Sequence, residues 1–229
     1  SCVLLLFRPA AQEPYARIRI PESYKIGNTY SILVFGLKAE DFEYAYQMDG
    51  PADQARGLLF NRKHTLLDPY AKAVTGQRNW GEKPEGGKDF VYKARVVQSD
   101  FDWGRYRNLN YKFEDLVIYE MHVRGFTKDA SSGVKGGGTF EGLRQKIPYL
   151  KDLGINAVEL MPIFEFDEME SARVVDGVQL YNYWGYNTVS FFALILCDRM
   201  DFFYKRAGRI YHVDMSGFQL IHNIFRYSM

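Results

Sequence analysis

The chain has 229 residues, of which 47% are hydrophobic and 25% charged, with a formal net charge of +1. That length suits one large domain or two modest ones, with enough apolar residues for a core. The balanced charge carries no electrostatic footprint for nucleic acid or an anionic membrane, and no apolar run is long enough to span a bilayer.

The first residues, Ser1 followed at once by "CVLLLF" (2–7), read as an excised piece rather than a natural start. The apolar run lacks a basic lead-in and a cleavage site, so it does not read as a signal peptide. Two cysteines, Cys2 and Cys197, lie far apart with no Cys or His at metal spacing. Neither a disulfide framework nor a metal site follows from them, and a reducing, cytoplasmic setting is the expectation. No cofactor is expected.

The first hundred residues read as β structure. "CVLLLF", "ARIRI" (16–20), "TYSILVFG" (29–36) and "FEYAYQM" (42–48) are short runs rich in β-branched and aromatic residues. "RIRI" alternates strictly, as a half-buried strand does. Pro21, Gly27-Asn28 and Asp49-Gly50-Pro51 supply turn chemistry between the runs. An antiparallel β-sandwich over 1–100 is expected. Within it "LLDPYAKAV" places Asp68-Pro69 at an extended corner, and "VYKARVV" offers a further strand. Residues 101–114 read as a linker.

From Asp115 the pattern changes. "DLVIYEMHVRGF" (115–126) predicts a long strand, "TKDASSGVKGGG" a glycine-rich loop, and "TFEGLRQKIPYLKDLG" a helix. Thr139 is the predicted cap of that helix, Pro148 its bend and Gly154 its close. "INAVELMPI" predicts a buried second strand. Strand, helix and strand in so short a span make a βαβ unit with parallel strands.

Four features offer chemistry. "FEFDEME" places Glu165, Asp167, Glu168 and Glu170 after the second parallel strand, where active sites of α/β folds form. A glycosidase needs paired carboxylates, but a local acidic run usually faces water, and that is the expectation here. In a strand, Glu120, His122 and Arg124 share one face, which suits a buried polar network. "GVKGGG" (133–138) lacks the Lys-Ser/Thr of a phosphate loop and is expected to be mobile. "YNYWGY" crowds Tyr181, Tyr183, Trp184 and Tyr186 around Gly185. The residues alone leave a sugar platform and a packed aromatic cluster equally open.

Together, "VIYEMHVRGFT", "GTFEGL", "IPYLKDLGINAVELMPIFEF" and "YNYWGYNTVSFFA" resemble the opening of the catalytic barrel of glycoside hydrolase family 13, in its isoamylase and glycogen debranching branch. Upstream, "FEYAYQMDGP" and "LLDPYAKAV" are similar to the amino-terminal sandwich of those enzymes, related to carbohydrate-binding module family 48. The matched segments look more bacterial than plant. The resemblance implies an antiparallel β-sandwich followed by the first part, about two βα units, of an incomplete α/β TIM barrel over 115–193.

It further implies a parent enzyme that hydrolyses α-1,6 branch points of glycogen or starch-type polysaccharide by the retaining route. Its partners would be branched α-glucans such as glycogen, amylopectin or limit dextrin, with no nucleic acid and no membrane. Tyr186 matches the family tyrosine that stacks on the sugar beside the scissile bond, and Tyr183 and Trp184 lie next to it as substrate-binding candidates. No catalytic residue is assigned, because the family's nucleophile, acid/base and stabiliser motifs find no match. The chain alone is therefore expected to be inactive. A non-catalytic glucan-binding module, or a non-functional truncated product, is the alternative. After Ala193 no family motif continues, and 194–229 stays unassigned, as the product of a shifted frame or as a real alternative ending.

Overall fold

A computed structural model describes residues 1–75, 81–82, 91–97, 110–194 and 219–221. In chain order the first strands are β1 (Cys2–Phe7), β2 (Pro14–Ile20), β3 (Lys25–Ile26), β4 (Thr29–Tyr30), β5 (Glu43–Met48), β6 (Ala52–Asp53), β7 (Leu58–Leu59), β8 (Ala73–Thr75) and β9 (Lys93–Arg95). There follow β10 (Ile118–Met121), α1 (Val123–Lys128), α2 (Phe140–Gln145), α3 (Ile147–Asp152), β11 (Ala157–Leu160), β12 (Phe164–Phe166), β13 (Arg173–Val175), β14 (Val178–Leu180), β15 (Thr188–Leu194) and β16 (Gln219–Ile221). Among the described residues no helix is long and apolar enough to cross a membrane.

The chain forms two compact units. One takes Ser1–Gln98, Phe164–Glu170 and Thr188–Leu194, and the other takes Ser99–Ile163, Ser171–Asn187 and Ile195–Met229.

In the first unit a five-stranded antiparallel sheet runs in the order β2-β1-β5-β9-β8. β1 is apolar throughout because both its faces are covered. Leu4 and Leu6 pack with Phe42 on one side, and Leu5 and Phe7 pack with Ala45 on the other. β2, near the sheet edge, alternates instead: Ala16, Ile18 and Ile20 turn in and Tyr15, Arg17 and Arg19 turn out. Among the described residues the remaining strands of the unit form three two-stranded ribbons, β3-β4, β6-β7 and β12-β15, rather than a second sheet as wide as the first.

The strand expected over 29–36 is a strand only at Thr29–Tyr30. Beyond it the side chains still alternate, and Ile32 and Val34 lie against Leu4, Leu6 and Phe42. The period-2 pattern recorded burial of an extended segment, not membership of a ladder. Asp68 fixes the predicted corner: its carboxylate accepts from the Tyr44 hydroxyl at 2.7 Å and from the Tyr70 N–H at 2.9 Å. A late segment completes this core, since Ala193 of β15 is buried against Ala71, Val74 and Ala94. The Ser190 hydroxyl donates to the Ala71 carbonyl at 3.2 Å.

The buried pair Lys93–Glu43 sits in the same unit at 3.4 Å. Lys93 also donates to the Ala11 carbonyl and lies 4.9 Å from the centre of the Phe7 ring. The second oxygen of Glu43 accepts from the Ala10 N–H at 3.3 Å.

In the second unit β10 and β11 are parallel, in register from Ile118↔Ala157 to Met121↔Leu160. The helices lie between them in sequence, which gives the expected βαβ order. Asn156 sets the two strands level: its Oδ1 accepts from the Val117 N–H and its Nδ2 donates to the Asp115 carbonyl, both at 2.7 Å. Where the sequence offered two parallel strands, the structure adds a third, β16, beside β11.

The long strand expected over 115–126 ends at Met121, and α1 begins at Val123. The helix expected from Thr139 is two helices. Thr139 caps α2, as predicted, but the break falls at Lys146, two residues before Pro148. Pro148 then occupies the first turn of α3, where a missing N–H costs nothing. The glycine loop is tied down. Gly138 N–H donates to the Thr127 hydroxyl at 2.8 Å, and Gln145 exchanges bonds with the backbone of Lys135. A Cβ on Gly142 would stand 2.8 Å from both the Gly136 carbonyl and the Thr127 hydroxyl, so the helix and loop meet backbone to backbone.

The buried ion pair gives a direct test. Lys93→Met strands the Glu43 carboxylate in an apolar setting and is expected to cost about 3–5 kcal/mol. The double change Lys93→Met with Glu43→Leu is expected to recover most of that loss. Chemical denaturation of the three proteins measures it.

Candidate functional site

The aromatic loop 181–187 and the start of α1 form one constellation within the second unit. His122 occupies the position before the first helical residue. Its Nδ1 accepts from the Gly125 N–H at 3.1 Å, the role usually given to Ser, Thr, Asp or Asn. An accepting Nδ1 carries no hydrogen, so the neutral ring bears its proton on Nε2. Nε2 lies 3.0 Å from the Tyr183 carbonyl and donates to it. Burial holds the imidazole below its ordinary pKa, the Arg124 charge acts the same way, and the Tyr183 carbonyl partly offsets them.

The Tyr183 ring stacks on His122 at 4.4 Å with 19° between planes. Trp184 meets both rings edge-on, at 5.9 Å from His122 and 5.3 Å from Tyr183. The turn itself is short. The Asn182 carbonyl side chain accepts from the Gly185 N–H at 3.4 Å, and Gly185 takes φ 72°, the left-handed region that favours glycine. Tyr186 follows directly and is 69% exposed, while Trp184 is 51% and Tyr183 39% exposed. The two readings of "YNYWGY" thus divide among its residues: Tyr183 is packed on a histidine, and Tyr186 offers a ring face to solvent.

Gly125 is shaped by the same contact. A Cβ there would stand 2.5 Å from the Tyr183 hydroxyl. Neither His122 as a helix cap nor Gly125 as a seat for Tyr183 was legible beforehand, because both belong to a helix read as strand. The polar ladder expected of Glu120, His122 and Arg124 does not form. Glu120 is on β10, His122 is the cap and Arg124 is inside α1.

The acidic run is corrected as well. It was expected to face water, yet Glu165 is 5% and Glu168 1% exposed. Glu168 accepts from the Gly81 N–H at 2.6 Å, and Asp167 accepts from the Met169 N–H at 2.8 Å. Burial first, and then these carboxylates with Glu170, push the Tyr92 hydroxyl pKa upward. They serve the packing of the first unit, in which β12 pairs with β15. Among the described residues no group of three His, Cys, Asp or Glu is placed to hold a metal.

No family model matches the chain. It is 43% identical over 173 residues to isoamylase 3, chloroplastic, of Oryza sativa subsp. japonica, a match that covers 74% of this chain and 22% of that protein. It is 34% identical over 208 residues to the glycogen debranching enzyme of Yersinia enterocolitica, covering 83% of this chain and 30% of that protein. The chain therefore spans between about a fifth and a third of the length of these relatives. Of the two, the plant protein is the more similar, which overturns the expectation of a bacterial cast. Among solved structures, a Group B Streptococcus pullulanase matches with a TM-score of 0.58 and 25% identity, over 87% of this chain and 26% of that one. The same pullulanase in complex with maltotetraose matches with a TM-score of 0.55, over 85% of this chain and 25% of that one.

Gly125→Ala sets two effects against each other. The helix gains about 1 kcal/mol of propensity, while the new methyl drives the Tyr183 ring off His122. Near-ultraviolet circular dichroism is expected to change with little loss of thermal stability. Adding Tyr183→Phe removes the obstructing hydroxyl and is expected to restore the spectrum of the Tyr183→Phe protein alone.

Proposed function

This chain belongs to the isoamylase and glycogen debranching enzyme type of glycoside hydrolase family 13, and from that premise we propose that it forms one wall of the glucan cleft of a debranching glycosidase. One observation carries the reading: a short turn, its backbone fixed by Asn182 and by His122, is followed directly by Tyr186 with an exposed ring. A pyranose ring presents C–H groups on one face, and a flat aromatic surface held in place suits that face. A turn whose backbone is fixed before binding loses little further entropy there when sugar arrives. The maltotetraose complex of a matching pullulanase supports the choice of an α-glucan.

The parent reaction would be hydrolysis of α-1,6 branch points of glycogen or amylopectin-type glucan. In the retaining route one carboxylate attacks the anomeric carbon while a carboxylic acid protonates the departing oxygen. Water, activated by the same residue, then hydrolyses the glycosyl-enzyme bond. No residue of 1–193 is assigned to those two roles. The buried Glu165 and Glu168 are committed to the first unit, which argues against them as stand-ins. The fold reading that accompanies this function is a sandwich followed by the opening βα units of a TIM barrel, for which the parallel β10-β11 pair is the support.

Two measurements follow. The purified 229-residue chain, incubated with amylopectin, is expected to release no reducing ends above background; their release would refute the assignment of an incomplete catalytic site. Tyr186→Ala is expected to weaken maltotetraose binding by about 1 kcal/mol, or roughly fivefold, with Tyr186→Phe close to the parent. Titration calorimetry reads the difference, and equal affinities for all three would remove Tyr186 from the cleft wall.

A further inference from the structure

The register of the aromatic loop rests on one ring. His122 uses both in-plane nitrogens on backbone groups, and the two groups belong to different segments. Nδ1 receives the Gly125 N–H of α1, and Nε2 donates to the Tyr183 carbonyl of the loop. Its flat face carries the Tyr183 ring. These three contacts are compatible with a single protonation state, the neutral ring with hydrogen on Nε2.

We propose that His122 is a positioning residue whose neutral imidazole clamps the Tyr183–Tyr186 turn, and that a second proton on Nδ1 releases that clamp. The sugar consequence, loss of glucan binding in acid, rests on the function proposed above; the clamp itself does not. A proton on Nδ1 would put N–H against N–H across 3.1 Å. The ring would have to turn away, and any rotation that relieves Gly125 also carries Nε2 off the Tyr183 carbonyl. The helix start then loses its cap and the turn loses its tether in one step.

The surroundings oppose the extra charge. From α1, the guanidinium of Arg124 repels a second cation. From the loop, the ring faces the Tyr183 carbonyl, the Tyr183 ring and Trp184, all uncharged. The aromatic faces favour a cation to some degree, but only while the stack is intact. The sign of the linkage follows. The folded pKa lies below the unfolded value of about 6.5, so the unfolded chain binds more protons in between. The clamp's contribution is fully present above about pH 6.5 and is lost as pH falls through the folded value.

The experiment combines imidazole 15N NMR with maltotetraose titrations of the full chain between pH 7.5 and 4.5, for the parent and for His122→Asn. Asparagine keeps a side-chain acceptor for Gly125 but cannot titrate or stack. The parent is expected to show His122 as the Nε2–H tautomer with a midpoint below 6.5. Its dissociation constant for maltotetraose should rise toward about tenfold per pH unit below that midpoint. His122→Asn should bind more weakly at pH 7.5 and with no such pH dependence. An Nδ1–H tautomer, a midpoint at or above 6.5, or the parent's pH profile persisting in His122→Asn would overturn the clamp. If the NMR signature is found but no maltotetraose binds at any pH, the clamp stands and the glucan reading fails.

Discussion

The neutral imidazole of His122 is the constraint on which the second unit's surface depends. It closes a strand, opens a helix and holds a loop 61 residues away in sequence, and it has a hydrogen on only one of its nitrogens with which to do so. A serine or aspartate would cap the helix as well, but neither has a flat face for Tyr183 or a donor on the far side. Gly125 answers to the same geometry, because the room its absent side chain leaves is filled by the Tyr183 hydroxyl. The exposed ring of Tyr186 is therefore the end of a chain of contacts that begins inside the fold.

The first unit solves a different problem. Its first strand, β1, is apolar on both faces, so the polar groups that reach its core must be matched in pairs. Lys93 and Glu43 meet one another and nearby backbone. Asp68 meets Tyr44, whose hydroxyl pKa is raised chiefly by burial and then by that carboxylate. Such pairs add little net stability but are costly to break singly, so they restrict which strands can lie beside which.

Much of this was legible wherever a residue's role was local. The alternation of β2, the cap at Thr139, the close at Gly154 and the turn at Asp68-Pro69 all follow from side chains acting within a few residues. The failures share a cause. "EMHVRGF" alternates like a strand, and only a histidine acting as a helix cap reveals otherwise. "FEFDEME" has the composition of a solvated loop, and its burial depends on partners as distant in sequence as Gly81. The aromatic motif was found by its composition, whereas its division into a packed Tyr183 and an exposed Tyr186 needed the contact with His122. Local pattern records what a residue prefers; long-range contact decides which preference is met.

The seat of Ala193 against Ala71, Val74 and Ala94 sets an order of events during synthesis. A ribosome delivers the chain from the amino end, and roughly 100 residues separate Ala94 from the residue that finishes its core. At about 5–20 residues per second, the first sheet emerges and then waits some 5–20 s for the residue that covers this part of its core. Throughout that interval its unfinished face is available to any apolar surface nearby. The sheet that comes first in the sequence is thus among the last parts to close, and the second unit's parallel strands β10 and β11 are made before it can.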